Sequence, residues 1–476
     1  MAKSFLKNLA GFSSESIINF IVSFLVVPIA TRLFSTEAYG QVTLLQSTLV
    51  MCMVLPMLGQ DQAFARFYYD SKDRSKLLNI NMSIIIVCWL FIFIGCVLFA
   101  KFLSDYLFNE VNVLAIILAA YLLLPLSLIR MSLLIYRMKT QVRFYVVQSV
   151  LYNLLTKLAI LSAGFLHKDY TVYAISLTIF MTVFSIRCFV RQYKVNKVNV
   201  HLYFDWLEMK PYVIYGFPTV ISAFCSQLLG YVPRFMIKSY AGFSELGIYS
   251  AAASLASTLN VIQAGFTNYF GAYLYGHYKE DKGEINCIHH CMGYVCFLAT
   301  AALTLVSPIA VPLLGSNFAG TQTAFPIMII YLICYSLSET TVYGINIVKK
   351  TYIHIIITVL SVLAVYLSGY LLIPKYGVIG GAMAHSLSAV VFFAARSFWG
   401  LRYYNPIKKG YKTIIMLFAA IFITIVNWSF NDINILKYSL IVGTIVLISV
   451  LYIPYLKNQV YLIRSKGEKK DDRKSN

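Results

Sequence analysis

The chain has 476 residues, of which 59% are apolar or aromatic and only 12% are charged, and its mean hydropathy is +0.73. Soluble domains carry roughly twice that charged fraction, so the composition excludes a water-soluble fold. The 39 Lys and Arg residues outnumber the 19 Asp and Glu residues and give a net charge of +20, and their placement decides between nucleic-acid binding and membrane orientation.

Uncharged blocks of about twenty residues recur along the chain, and each is long enough to cross a bilayer as an α-helix. A β-barrel would need short alternating strands instead. The first block is full length and no small-residue cleavage site follows it, so we expect it to remain as a spanning helix. The sequence therefore predicts an all-α polytopic membrane protein with about fourteen transmembrane helices. The predicted spans are 14–34, 41–59, 80–100, 111–135, 145–166, 170–190, 212–232, 246–272, 290–314, 323–345, 352–373, 378–399, 411–429 and 435–456.

Basic residues alternate in density from one inter-span segment to the next. Counted from the N-terminal tail, alternate segments hold 27 Lys and Arg residues on one side and 5 on the other. Basic loops stay in the cytoplasm, so we predict a multi-pass membrane protein with both termini cytoplasmic. The basic residues are spread over eight segments instead of forming one patch, so no nucleic-acid partner is expected.

The loops are too short to house an extramembrane domain. The longest cytoplasmic loop, 191–211, has 21 residues, and the longest outer loop, 233–245, has 13. Integral glycosyltransferases and O-antigen polymerases generally place catalytic or sugar-binding residues in large outer loops. The loop lengths therefore weigh against both classes and favour a protein that acts within the bilayer.

Three pairs of residues recur at nearly one offset, which indicates an internal repeat. Gly40 and Gly247 are 207 positions apart, and 206 positions separate both Gly59 from Gly265 and Tyr170 from Tyr376. A unit with an even number of spans repeats in the same orientation, so we expect two parallel six-helix lobes around a central cavity, as in alternating-access carriers. The predicted organisation is an N-lobe (1–190), a cytoplasmic linker (191–211), a C-lobe (212–399), an added helix pair (400–456) and a basic cytoplasmic tail (457–476).

Three segments resemble a known family. The run from Gly59 to Tyr68, with Asp61 and then Arg66-Phe67-Tyr68, resembles the segment after the second span of polysaccharide-exporting flippases. The stretch 372–382 is similar to that family's hallmark between spans 11 and 12, and 31–40 looks like the end of its first span. The chain thus resembles O-antigen (Wzx-type) flippases of the multidrug/oligosaccharidyl-lipid/polysaccharide superfamily.

The resemblance implies a location in the bacterial inner membrane and movement of undecaprenyl-diphosphate-linked oligosaccharide from the inner to the outer leaflet. It also implies a polysaccharide polymerase as a candidate partner. One departure is that many relatives have an acidic residue before the arginine after span 7, where this chain has Pro233-Arg234. An acid-dependent role at that point is therefore not expected.

Basic residues inside the spans are candidates for binding an anionic substrate. Lys157 lies near the middle of span 5, where a charge is costly, so it should face a cavity or a partner. Arg32 and Arg234, at the outer ends of spans 1 and 7, could receive a diphosphate or could snorkel to the interface. Arg66 is a candidate for first capture of the substrate or for an ion pair with Asp61. The remaining basic residues lie near helix ends and are expected to snorkel: Arg130, Arg187, Arg396, Lys412 and Lys437.

Acidic and polar residues in the spans are candidates for ion coupling and sugar binding. Glu15, Glu339 and Asp61 could bind a coupling proton or cation, or could form ion pairs inside the bundle. His385 could titrate near neutral pH or serve as a packing residue. Gln46, Asn260 and Gln263 carry amides suited to sugar hydroxyls, although buried amides also hold helices together.

The sequence offers no strong signal for a cofactor. Cys287, His289, His290 and Cys291 carry metal-capable side chains, but no second motif at zinc-site spacing accompanies them, so we predict no metal. The nine cysteines are odd in number and predict no disulfide framework. A phosphate-binding loop is missing from the sequence, which leaves an ion gradient or the membrane potential as the energy source.

The function predicted from the sequence is non-enzymatic: a flippase working by alternating access and coupled to a proton or cation. A multidrug/cation antiporter and a peptidoglycan-precursor flippase of the same superfamily are the alternatives within the fold. From another class, a membrane-embedded glycosyl- or acyltransferase would need convergent His or carboxylate groups, of which the sequence shows only scattered members.

Overall fold

The structure is a computed structural model that describes residues 2–196, 201–257, 282–348, 352–430 and 435–471, together with residues 263, 270, 274 and 350. Within these residues the regular secondary structure is entirely helical. The helices are α1 Ala2–Leu33, α2 Thr36–Cys52, α3 Val54–Met57, α4 Gln60–Phe67, α5 Arg74–Leu98, α6 Ala100–Phe108, α7 Val113–Met138, α8 Val142–Leu166, α9 Tyr170–Asn196, α10 Trp206–Ala256, α11 Lys282–Ala310, α12 Thr321–Thr341, α13 Tyr343–Ile347, α14 Tyr352–Tyr403, α15 Tyr411–Ser429 and α16 Ile435–Asp471.

Among the described residues, eleven helical segments are long and apolar enough to cross a membrane, and Ile17–Leu33 of α1 adds a shorter apolar segment. Two of the eleven, α10 and α14, have 51 and 52 residues and are therefore long enough to cross twice. The predicted all-α polytopic class is confirmed. The predicted eighth span, 246–272, is continuous only to residue 257, beyond which most of it lies outside the described residues.

Large apolar side chains on the helix surfaces are consistent with a lipid environment. Phe91 and Leu98 of α5 are 73% and 75% exposed, and Phe165 of α8 is 70% exposed. In water such a surface would be an aggregation liability, whereas in a bilayer it contacts acyl chains at no cost.

Two glycines interrupt the long helices α10 and α14. Gly242 has φ 85° and ψ 178°, and Gly377 has φ 52° and ψ −124°, backbone conformations that L-residues with a side chain rarely adopt. The rest of the segment 233–245 is helical, so the outer loop predicted there is wrong. The reason is that a single glycine supplies the change of direction for which a whole loop was expected.

Polar caps fix the starts of three membrane helices. The Ser35 side chain accepts a hydrogen bond from the backbone N–H of Ala38, and Asp73 accepts from those of Ser75 and Lys76 at 3.0 Å. The side-chain Oδ1 of Asn112 accepts a hydrogen bond from the backbone N–H of Ala115 at the start of α7, and Asn112 Nδ2 donates to Thr171 Oγ1 at 2.7 Å. Each cap satisfies backbone donors that the first turn of a helix leaves unpaired.

Two compact units make up the chain. The first comprises Met1–Ser254 with Leu314–Phe318, and the second comprises Leu255–Leu313 with Ala319–Asn476. In the second unit, α11, α12, α15 and α16 share an apolar core. The division into an N-lobe and a C-lobe, drawn from the sequence repeat, stays a prediction.

Within the first unit, α2 and the end of α10 approach to backbone contact. A Cβ atom at Gly40 would collide with the carbonyl oxygen of Phe243, and one at Gly247 would collide with that of Thr36. Both glycines are therefore required by the close approach of the two helices.

Two hydroxyl pairs flank this glycine contact. Thr36 Oγ1 lies 2.6 Å from Ser244 Oγ, and Thr43 Oγ1 lies 2.9 Å from Ser250 Oγ. The paired residues are 208 and 207 positions apart, close to the offset of 206 to 207 in the predicted sequence repeat. Residues related by the repeat thus pack against each other.

Candidate functional site

A stripe of polar side chains follows the contact between α1 and α8 in the first unit. The α1–α8 polar stripe consists of Glu15 and Asn19 on α1 with Ser149, Asn153 and Lys157 on α8. Members on each helix are four residues apart, so they share one helical face. The sequence therefore places a carboxylate, amides and an ammonium group along one helix–helix seam.

Hydrogen bonds connect the first four members of the stripe. Glu15 Oε1 accepts from Asn19 Nδ2 at 3.0 Å and from the Ser149 hydroxyl. Asn153 Nδ2 donates to the backbone oxygen of Asn19 at 3.2 Å and to its Oδ1 at 3.1 Å. Within the first unit as described, the hydrogen-bond partners of the Glu15 carboxylate are neutral groups, so its contacts there do not include an ion pair.

Lys157 continues the stripe by one turn but is not bonded into it. The side chain is half-buried, and among the described residues its ammonium group makes no hydrogen bond or ion pair. It lies nine residues before the end of α8, about 14 Å along the axis, which places it well inside the span. An unpaired cation at that depth is suited to an anionic ligand.

Two residues of the resembling motif after span 2 form ion pairs, Asp61 from the first turn of α4 and Arg66 from its last turn. Asp61 Oδ2 lies 2.7 Å from Nη2 of Arg130 on α7, and Arg66 Nη1 lies 2.6 Å from Asp70 Oδ2. The predicted alternative of an Arg66–Asp61 pair is therefore wrong, because Arg66 reaches the carboxylate one turn further on. Arg130 was expected only to snorkel. Its partner Asp61 is 69 positions away in the sequence, so the spacing of neighbouring residues does not predict the pair.

The other predicted substrate-binding residues described in the first unit are not members of the α1–α8 polar stripe. Arg234 on α10 donates from Nη1 to the backbone oxygen of Gly230 at 2.5 Å, and its guanidinium lies 5.8 Å from the centre of the Tyr249 ring. Arg32 is exposed at the end of α1, and Gln46 is half-buried in α2. The Arg234 guanidinium is thus held against an aromatic ring, whereas the Arg32 side chain is exposed on the protein surface.

In the second unit, the predicted carboxylate Glu339 is held by an arginine. Arg396 Nη1 lies 2.7 Å from Glu339 Oε1 and donates to Ser338 Oγ at 2.7 Å. The guanidinium also lies 4.8 Å from the centre of the Phe392 ring. Both side chains are nearly buried, at 12% and 9% exposed, so Arg396 does not snorkel to an interface as predicted.

The remaining candidates of the second unit are placed as follows. The His385 ring lies 4.8 Å from that of Tyr331. Gln263 is half-buried, and Asn260 lies outside the described residues.

The Cys-His cluster at the start of α11 is tied to neighbouring helices. The two ring nitrogens of His289 lie 2.5 Å from Thr340 Oγ1 and 2.9 Å from Thr413 Oγ1. His290 Nε2 lies 3.0 Å from the backbone oxygen of Lys408, and Cys287 Sγ donates to that of Tyr455. The cluster therefore has a packing role between α11, α12, α15 and α16.

Lys238 on α10 is a buried cation that sequence analysis missed. Its Nζ donates to the backbone oxygen of Tyr106 at 2.8 Å and to Asn109 Oδ1 at 2.6 Å, at the end of α6. A cation at this end offsets the partial negative charge of the helix C-terminus. Sequence analysis did not predict this contact because 101–110 was expected to be a loop, whereas the structure forms α6 there.

The fold defines a multi-pass membrane protein, and comparison with known proteins supplies the family. The family model described as "Polysaccharide biosynthesis protein" matches residues 5–269, more than half of the chain. The chain belongs to this polysaccharide biosynthesis family. The resemblance noted in the sequence is confirmed.

A curated relative and two solved structures extend this result. The chain is 23% identical over 397 residues to "Lsg locus putative protein 1" of Haemophilus influenzae, covering 78% of this chain and 93% of that protein. It is similar to the lipid II flippase MurJ in an inward closed conformation, with a TM-score of 0.69, 14% identity and coverage of 94% and 99% of the two chains. An inward-facing multidrug resistance MATE transporter of the MOP superfamily gives a TM-score of 0.62 at 13% identity, covering 81% of this chain and 97% of that one. At these identities the two structures establish the fold.

Proposed function

We propose that this protein is a flippase that moves undecaprenyl-diphosphate-linked oligosaccharide, such as an O-antigen repeat unit, from the cytoplasmic to the outer leaflet by alternating access. Membership of a polysaccharide biosynthesis family and the transporter fold support this class. The observation that carries the proposal is the ammonium group of Lys157, which lies deep in a spanning helix and has no hydrogen bond or ion pair within the described part of the chain.

The chemistry of the substrate explains the need for such a cation. A diphosphate and sugar hydroxyls would lose their hydration in hydrocarbon, and burying unpaired charge is costly. The lipid tail has no such need and can stay in the bilayer. Lys157 acts as a point charge toward the diphosphate, while Arg32 and Arg234 are forks of donors suited to phosphate nearer the outer leaflet.

Among the candidate ion-coupling residues, Glu15 is the one we assign. Asp61 and Glu339 are each held by an arginine, so protonating either carboxylate would leave a guanidinium without its partner. Glu15 accepts only from neutral donors in the described structure. A proton bound at Glu15 would change by one unit the charge of the α1–α8 polar stripe, at the end opposite Lys157, and we propose that this links the coupling ion to substrate binding along the same stripe.

The test asks on which leaflet the lipid-linked oligosaccharide lies in cells that lack the gene. In right-side-out spheroplasts, impermeant periodate oxidises only sugars that face outward. We expect the deleted strain to accumulate periodate-protected oligosaccharide and the wild-type gene to restore oxidation. Lys157→Met should lower the rate of outward movement at least about tenfold, as expected for the loss of one charge-assisted contact, while Lys157→Arg should retain most of it.

Lys194→Met is the matched control, because Lys194 is an exposed lysine in the last turn of α9. It should export normally at equal membrane abundance. Normal outward display in the deleted strain would reject the flippase. Accumulation of a peptidoglycan precursor instead would favour the related flippase of that substrate, and turnover of a sugar donor by the purified protein would favour a transferase.

A further inference from the structure

A narrow cleft opens between α7, α8 and α9 in the first unit, at the helix ends that the charge asymmetry assigns to the cytoplasm. Tyr136 of α7, Phe144 and Gln148 of α8, and Arg187 and Arg191 of α9 line this arginine cleft. The proposed substrate site does not include any of these residues. The cleft is therefore a separate feature that the transport proposal leaves unexplained.

Hydrogen bonds behind the cleft hold its three helices in place. Ser132 Oγ donates to Gln148 Oε1 at 3.1 Å, and Gln148 Nε2 donates to the backbone oxygen of Ile129 at 3.3 Å. From α9, Gln192 Nε2 donates to the backbone oxygen and to Oγ of Ser132, both at 3.0 Å. The network joins α7 to α8 and to α9, so the cleft is preformed and its Gln148 amide is already engaged.

At the floor of the cleft, the Tyr136 hydroxyl is buried and unpaired. The side chain is fully buried, and the hydroxyl has no hydrogen-bond partner among the described residues. Arg191 and Arg187 are both near enough to interact with it electrostatically. A buried hydroxyl without a partner is destabilising, and the cleft holds about 10 Å³ of free space, enough for one oxygen atom.

Two arginines one helical turn apart flank this hydroxyl. The Arg191 guanidinium lies 4.8 Å from the centre of the Phe144 ring, and that of Arg187 lies 6.0 Å from the centre of the Phe184 ring. Within the described chain, no carboxylate lies within ion-pair distance of either arginine. Two uncompensated guanidinium groups beside a hydroxyl donor form a site for a tetrahedral oxyanion, with phosphate the best match.

The surroundings of the arginines indicate where the phosphate comes from. Ile179, Val183, Ile186 and Val190 form an exposed apolar stripe along α9, between 49% and 63% exposed. Arg187 follows Val183 by one turn and lies next to Ile186 in sequence, so it borders this stripe. An anion that reaches Arg187 beside a surface covered by acyl chains is attached to a lipid.

We propose that the arginine cleft binds the phosphate of an anionic phospholipid of the cytoplasmic leaflet, with Arg187 and Arg191 holding the phosphate and Tyr136 donating a hydrogen bond to one of its oxygens. Basic pockets between membrane helices on the cytoplasmic side are suited to anionic headgroups. A phospholipid fits better than a lipid-linked sugar, because the only amide lining the cleft is already hydrogen-bonded within the protein.

The test counts lipids retained by the purified full-length chain in neutral detergent, using native mass spectrometry during titration with phosphatidylglycerol or phosphatidylcholine. We expect the wild type to retain phosphatidylglycerol in preference to phosphatidylcholine. Arg187→Gln with Arg191→Gln should weaken the retention of phosphatidylglycerol about tenfold to thirtyfold, and the affinity for phosphatidylcholine should not change. Tyr136→Phe should weaken it about threefold to tenfold without lowering the melting temperature, because the variant removes an unpaired hydroxyl and keeps the ring.

The matched control is Arg137→Gln with Arg143→Gln, which removes two exposed arginines from the same ends of α7 and α8 but not from the cleft. It should retain phosphatidylglycerol within about twofold of wild type. Equal losses in both double variants, or no loss with Tyr136→Phe, would overturn the site. Displacement of phosphatidylglycerol by excess inorganic phosphate would show that the cleft binds a soluble ligand. Displacement by undecaprenyl diphosphate at a lower concentration than phosphatidylglycerol would assign the cleft to the transport substrate. Either result would overturn the proposal.

Discussion

Glu339 and Arg396 show how one residue's surroundings decide its role. A carboxylate in a spanning helix is a candidate for ion coupling, and sequence alone selects Glu339 on that ground. In the structure the carboxylate lies 2.7 Å from the Arg396 guanidinium, and both side chains are nearly buried. Removing one member of such a pair leaves an uncompensated charge, so the pair is better explained as a tie between α12 and α14.

Glu339→Gln should therefore lower the free energy of unfolding by about 3 kcal/mol, because Arg396 would remain buried without its counter-charge. Adding Arg396→Met should recover more than half of that loss. Chemical unfolding of the detergent-purified chain, followed by tryptophan fluorescence, measures both values.

Arg66→Gln is the control for this pair. It breaks an ion pair of similar length, 2.6 Å, between side chains that are 56% and 60% exposed, and it should cost less than about 1 kcal/mol. Stability of Glu339→Gln equal to wild type, with transport abolished, would instead restore Glu339 as an ion-coupling residue.

Individual candidate residues could be predicted from the sequence, but their partners could not. Lys157 and Glu15 stand out because charges in spans are rare. Glu339 pairs with a residue 57 positions away, and Asp61 with one 69 positions away. No local spacing encodes such contacts, since they depend on which helices pack together.

Among the elements, the contact of α2 with the end of α10 depends on glycine. Gly40 and Gly247 each occupy a position where a Cβ would overlap a backbone oxygen of the other helix. The two hydroxyl pairs beside them, Thr36 with Ser244 and Thr43 with Ser250, form only while the backbones stay that close. Close approach and hydroxyl pairing are a common basis of helix association in membranes.

Gly247→Val should separate the two helices and lower the free energy of unfolding by at least about 2 kcal/mol, because the new side chain has no space to enter. Gly95→Val is the matched control: Gly95 lies in α5, and a Cβ there would meet no atom within 4 Å. The midpoint of thermal unfolding, measured by fluorescence-detected size exclusion, compares the two. Equal midpoints would show that α2 and α10 are not in close contact.

At this scale the sequence predicts the long helices well, because runs of apolar residues have the length of a span. It fails at the helical pieces between them. The polar segment 101–110 was expected to be a loop, but Ala100–Phe108 folds as α6, whose final turn is held by Lys238 from a distant helix. Single glycines at 242 and 377 likewise replace loops, a choice fixed by packing of the flanking helices.

For the molecule as a whole, the distribution of basic residues predicts orientation in the membrane. The segment 136–144, between the predicted spans that correspond to α7 and α8, carries Arg137, Lys139 and Arg143, whereas the segment between α8 and α9 carries only Lys168. The two segments lie at opposite ends of one helix, so whichever is cytoplasmic, the other is outside. The more basic one should be cytoplasmic.

Thr140→Cys and Lys168→Cys test this orientation at matched positions, because both residues are exposed and both have positive φ, 53° and 57°. An impermeant maleimide should label Lys168→Cys in intact cells and Thr140→Cys only after permeabilisation. The parent chain sets the background, since each of its nine cysteines is at least partly buried. Labelling of Thr140→Cys alone in intact cells would show that the protein has the opposite orientation in the membrane. The arginine cleft would then face the outer leaflet.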